Sequence, residues 1–197
     1  VIHMEIGATK AVQDRLKTTK IEESKGTSLV FCWDTHLTKI KGRNVLFIVN
    51  ASNRYTIAMT DIEPRNWNYY AMYISRVIRV VMQEMGYSED QIGQYFKMSG
   101  DTTVTKTHGR KSVGGINRMV MDAQYFGKKL EKEAKYQWEL SEYLNRDICQ
   151  PEGFDAYGYP SELFKLDMER LGIAAKRKPA KVIDFAQYIE NNRGTND

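Results

Sequence analysis

The sequence predicts an α+β protein: an antiparallel sheet of about four strands packed on a long amphipathic helix, with a helical C-terminal half. Three observations carry this. β-rich runs of strand length crowd the first sixty residues. The segment 66–85, NWNYYAMYISRVIRVVMQEM, has helical periodicity. Beyond residue 88 the apolar patterns are mostly helical as well.

In segment 66–85 the apolar residues Trp67, Tyr70, Ala71, Ile74, Ile78, Val81, Met82 and Met85 keep the i, i+3, i+4, i+7 spacing of a helix facing a core. Val77 and Val80 widen that stripe and predict cover on more than one side. Asn66 is the expected N-cap and Gly86 the residue that ends the helix. Before it, residues 4–6 read as a short strand and 8–17 as a helix. Runs 29–33, 45–49 and 55–60 read as strands, the last two joined as a hairpin by Asn50-Ala51-Ser52-Asn53. After it, Ser88 caps a short helix, and 102–106 is a fourth strand. Residues 109–126 and 130–144 are helices. A Pro, Gly and aromatic loop follows, then helices at 161–171 and 182–189. The division expected is an α+β domain at 4–145, with the aromatic loop and C-terminal helices of 146–197 packed on it.

The net charge is +4, with 27% charged and 42% hydrophobic residues. That composition fits an ordinary globular protein and permits an anionic partner. Two cysteines, Cys32 and Cys149, sit in apolar stretches, which favours reduced thiols and a cytoplasmic protein. No run is long enough to span a membrane. Val1-Ile2-His3 ahead of Met4 reads as an expression scar, so His3 is left out of any site.

Several local sequences, taken in order, resemble one family. They are Ile6-Gly7-Ala8-Thr9-Lys10, the strands around Phe47-Ile48-Val49-Asn50, and Thr105-Lys106-Thr107 followed by Arg110-Lys111-Ser112-Val113-Gly114-Gly115-Ile116-Asn117. Together they resemble an uncharacterised bacterial domain family. Some of its members carry the domain ahead of a second one known from a plasmid open reading frame and transposon passenger proteins. Tyr157-Gly158-Tyr159-Pro160 and the helix after it resemble the connector. The resemblance spans roughly residues 4–171 and implies a plasmid or phage setting. In such a setting small basic proteins act on DNA, or on the nucleoprotein machines that defend against it.

Chemistry is sparse. From 97 to 132 cations outnumber acids, and a helix starting near Gly109 sets Lys111, Gly115 and Arg118 on one face. That face suits a phosphate backbone, with Asn117 and Gln124 adding hydrogen bonds. Thr107, His108 and Gly109 at its start form a possible anion site. Asp34 and His36 share one side of an extended chain but lack a third metal ligand at suitable spacing. Neither cysteine has a neighbouring His in sequence. Phe154, Tyr157, Tyr159 and Phe164 form an aromatic group, and Ala175-Lys176-Arg177-Lys178-Pro179 is a basic run.

The expectation is therefore a non-catalytic accessory protein of a mobile element or phage, without cofactor or metal. It would bind DNA, RNA or a nucleoprotein complex through Arg110, Lys111, Arg118, Lys128, Lys129, Lys176, Arg177 and Lys178, with a homodimer possible. An anti-defence role, such as inhibiting a CRISPR nuclease, is its most concrete form. The alternatives are a small nucleotide- or phosphate-handling enzyme using His108 and Arg110 with Asp34 or His36, and a protein-interaction module built on the Tyr157 loop.

Overall fold

A computed structural model describes residues 3–16 and 21–175. Alternation along the first strand sets the architecture. β1 (Met4–Ala8) turns Met4, Ile6 and Ala8 to one face and Glu5 and Gly7 to the other. α1 (Lys10–Leu16) carries the chain over to β2 (Cys32–Ile40), which runs parallel to β1. β3 (Arg43–Asn50) and β4 (Thr56–Thr60) follow as antiparallel neighbours. The β2–β3 turn uses Lys41 and Gly42, both at positive φ (48° and 82°), the geometry that matches strand twist in a two-residue hairpin. β5 (Thr102–Thr105) returns to the far side of β1, again parallel.

The strand order is β4-β3-β2-β1-β5. The sheet is thus mixed and five-stranded, where an antiparallel sheet of about four strands was expected. The hairpins are written in local turn chemistry. The parallel pairings of β1 join residues far apart in sequence and leave no local signature.

Two helical layers cover the sheet. α2 (Pro64–Asn68), α3 (Tyr70–Glu84), α4 (Glu89–Ser99) and α7 (Pro160–Arg170) lie on the Ile6 face. There Trp33, Leu46, Ile48 and Ile57 meet Ile74, Ile78, Val81, Ile92, Tyr95 and Phe164. α5 (Gly109–Gln124) and α6 (Trp138–Asn145) lie on the Glu5 face, where Val45, Phe47, Val49 and Ala58 meet Ile116, Met119, Ala123, Leu140 and Leu144. Burying each Ile or Leu of these clusters contributes roughly 1.5–3 kcal/mol.

Several boundaries differ from expectation. The 66–85 helix starts earlier, at Pro64, and breaks at Tyr69, whose ψ of 42° leaves the helical region. Asn66 therefore lies inside α2 and is not a cap. Val77 is buried but Val80 is 51% exposed, so cover comes mainly from one side. Ser88 does cap α4, with a reciprocal bond from Gln91. Residues 29–31 form a 3-10 turn, so Asp34 and His36 lie within β2 and not after a strand. Most of 130–144 is not helical. Backbone pairing of Lys135 and Gln137 with the open edge of β4 displaces the first turns, and helix begins only at Trp138. α6 then completes that edge, with Asn145 Oδ1 and Ser141 Oγ accepting the Thr56 and Ala58 N–H groups. The helix expected at 182–189 lies outside the described residues. Both cysteines are free and buried. Among the described residues no helix is long and apolar enough to cross a membrane.

Candidate functional site

The register of β1 against β2 sets Glu5 beside Cys32 and Gly7 beside Asp34, all on the face that α5 covers. β5 ends at Thr105, and three residues later His108 opens α5. Its imidazole drops between the two acids. Nδ1 lies 2.7 Å from Asp34 Oδ1, and Nε2 lies 2.9 Å from Glu5 Oε2. Glu5, Cys32 and Asp34 are fully buried, and the His108 side chain is 3% exposed.

Each member is held from behind. The Asp34 carboxylate accepts the His108 backbone N–H and the Ser112 hydroxyl. Glu5 accepts the Ser24 hydroxyl at 2.6 Å and the Lys25 N–H at 2.8 Å. Burial acts to lower the His108 pKa, but the hydrogen bond and charge of Asp34, with the hydrogen bond of Cys32, outweigh it and hold it up at about 11. At neutral pH the ring is an imidazolium that donates to both acids. Burial works to raise the Glu5 pKa, yet Ser24, Lys25 and His108 together keep it below its ordinary value. Burial pushes the Cys32 thiol up.

The anion site anticipated at Thr107, His108 and Gly109 is therefore filled by the chain itself. Asp34 supplies the negative charge that a helix N-terminus favours. The convergence of Asp34 with His108, one of the pairings weighed for an enzyme, does occur. Arg110 stays outside it, exposed, and His36 bonds to Thr9 instead, at 3.0 Å. Ser112 donates to Asp34 and not to His108, so among the described residues no hydroxyl nucleophile is paired with the imidazole. A cleft of about 480 Å³ lined by Leu37, Arg43, Asp61 and Trp67 lies elsewhere.

The outer side of α5 is arranged differently from the expected grouping. Gly115 faces inward, and the Arg54 guanidinium lies across it, 2.7 Å from where a Cβ would be. Lys111, Gly115 and Arg118 therefore do not form one outward face, because the helix turns Gly115 to the sheet side with Ile116 and Met119. The outward stripe is Arg110, Gly114, Asn117, Arg118, Met121 and Tyr125, with Met121 60% and Tyr125 78% exposed. Among the described residues Arg110, Lys111 and Lys129 form no ion pair, whereas Arg118 pairs with Asp122 and Lys128 with Glu139. Gln124 is tied down, donating to the Lys39 carbonyl. Lys176, Arg177 and Lys178 lie outside the described residues. The aromatic group divides: Phe154 and Phe164 are buried, while Tyr157 is 70% and Tyr159 49% exposed.

Residues 5–163 match a family described as Domain of unknown function (DUF6933). The chain belongs to that family. The matched stretch holds β1 from Glu5 onward, β2 to β5, α5 and every member of the His108 centre, so the DUF6933 domain contains the site whole. No curated protein matches the chain, and no solved structure does.

Sequence reasoning missed Glu5 and Cys32. A signal was available. Glu5 stands between Met4 and Ile6 inside a run that reads as a strand, and Asp34 directly follows the apolar run that ends at Trp33. A carboxylate in such a run needs a cation or several donors beside it, and His108 is the histidine that the fold delivers.

Proposed function

We propose that this protein is a non-catalytic nucleic-acid-binding protein that lays a phosphate backbone along the outward stripe of α5. The observation that carries the reading is Gly114. It sits in mid-helix, one turn from both Arg110 and Arg118, with nothing within 4 Å of where its Cβ would be. A glycine there costs about 1 kcal/mol of helix stability relative to alanine. Among the described residues no neighbour needs the space, whereas a backbone approaching from outside does. Arg110 and Arg118 on the stripe, with exposed Lys111 beside it, supply the charge, and exposed Tyr125 offers a ring on which a base can stack. The buried acid–imidazolium centre holds the start of α5 rigidly against the sheet, which keeps this stripe in place. The non-catalytic part of the reading is supported by the burial of Cys32 and His108 and by the Ser112 bond to Asp34. Placement among mobile-element or phage accessory proteins rests on the resemblance seen in the sequence.

The test is fluorescence anisotropy with labelled single-stranded RNA, single-stranded DNA and duplex DNA across a salt series. Three phosphate contacts give a log–log slope of about −2 to −3. The combined variant Arg110→Glu, Lys111→Glu, Arg118→Glu should lose binding and keep its melting temperature. A salt-independent response, or binding that survives the triple variant, overturns the reading. Capture of an RNA-loaded complex from lysate that nuclease abolishes would be the anti-defence form. A second reading, docking of another protein, is favoured by Ile148, Tyr157 and Tyr159, which stand 56%, 70% and 49% exposed around the Cys149–Gly158 bridge. It gives a heterocomplex or dimer that salt does not weaken.

A further inference from the structure

We propose that Glu5, Cys32 and His108 form a buried site for a zinc-class divalent metal ion, with Asp34 orienting the imidazole from behind. One carboxylate oxygen, one sulfur and one ring nitrogen from these residues all lie within 4.8 Å of one another. Around a tetrahedral ion with bonds of about 2.0–2.3 Å, ligand atoms stand roughly 3.3–3.8 Å apart. Shifts on the order of 1 Å bring the three donors onto such a centre. The set is nitrogen, sulfur and oxygen, which suits zinc and disfavours magnesium or calcium, both of which require oxygen donors.

The surroundings are those of a ligand set. His108 has Nδ1 against Asp34, which leaves Nε2 facing Glu5 as the coordinating atom. A carboxylate behind a ligating histidine fixes its tautomer and raises its basicity. Asp34 is in turn fixed by the His108 N–H and Ser112, and Glu5 by Ser24 and Lys25. Cys32 is otherwise weakly engaged, with one long contact of 3.5 Å to the Ser28 carbonyl.

Coordination releases the imidazole Nε2 proton and the thiol proton to solvent, and the ion sets two positive charges beside the Glu5 and Asp34 carboxylates. Three protein donors leave one tetrahedral position for water. The ion would tie β1, β2 and the start of α5 together. This proposal does not rest on nucleic-acid binding.

The experiment is titration of the metal-free full chain with cobalt(II), read by absorption. One equivalent should give the intense near-ultraviolet band of a thiolate–cobalt bond and the visible bands of a four-coordinate ion, and zinc should displace it. Cys32→Ser should lose the near-ultraviolet band, and Cys149→Ser should keep it. In the unsubstituted protein one equivalent of zinc should raise the melting temperature, and a chelator should restore it. Absence of saturable binding, a band that survives Cys32→Ser, or a melting temperature blind to zinc overturns the proposal.

Discussion

A methyl group on Gly7 would stand 1.8 Å from Asp34 Oδ1 and 3.1 Å from His108 Nδ1. The absent side chain of β1 is the space in which the acid–imidazole pair sits. Asp34 cannot retreat, because the His108 N–H, the His108 ring and the Ser112 hydroxyl hold it from three sides.

Gly7→Ala should therefore cost about 3 kcal/mol or more, since it overpacks the sheet and breaks a buried charge pair. Urea denaturation measures it. Gly93→Ala serves as the control, because a Cβ there meets nothing within 4 Å and α4 gains up to about 1 kcal/mol of helix propensity. Equal midpoints for the two variants would show that Asp34 moves freely.

Tyr95→Phe removes a single oxygen. The Trp33 indole donates to that oxygen at 3.0 Å, and the hydroxyl donates to the Val30 carbonyl at 2.8 Å, all in the core. The variant strands a buried indole N–H and should lose about 1–3 kcal/mol with the fold intact. Unchanged stability would mean that water replaces the hydroxyl.

Asp167 gives a pH prediction. Burial is the main influence and raises its pKa above 3.8, while Asn53, Ser52 and Arg170 act to lower it. A carboxyl with a raised folded pKa binds its proton more tightly folded than unfolded. Its contribution favours the fold at low pH and declines as pH rises from 3.8 through the folded value. Asp167→Asn keeps the Asn53 contact without the charge. It should melt at or above the unsubstituted protein at neutral pH, with the difference closing toward acid. A lower neutral melting temperature would show that the Arg170 bond, at 3.2 Å, outweighs burial.

Gly114→Ala separates stability from binding. Alanine has open space there and should stabilise the protein by about 0.5–1 kcal/mol. Under the proposed function the same methyl should weaken RNA or DNA binding several-fold. Tighter or unchanged affinity would remove Gly114 from the interface.

The sequence made legible what is periodic or local: the Thr56–Thr60 hairpin, the Ser88 cap, the core face of α3, and α5 from Gly109. It hid what depends on distant partners. β1 is five residues long, and its two parallel neighbours come from residues 32 and 102 onward. The segment 130–137 has helical spacing, yet the open edge of β4 claims its backbone: the Thr60 N–H donates to the Lys135 carbonyl and the Ala58 carbonyl accepts the Gln137 N–H. The same blindness applied to the centre. His108 stands out in the sequence for its place at a helix start, but the strand register that sets Glu5 and Cys32 beside it cannot be read from spacing. The basic residues of α5 were found, and only the inward turn of Gly115 under Arg54 altered which of them share a surface.

Phe164 lies one residue past the stretch matched by the family, yet its ring is wholly enclosed by Trp33, Tyr55 and Tyr87. Met168 and Ile173 follow it into the same interior. A fragment trimmed to residue 163 would thus lack the plug of its main core and open a void under the sheet. Expression and crystallisation designs should run to residue 174 at least, because the core of this chain reaches past the stretch that matches the family.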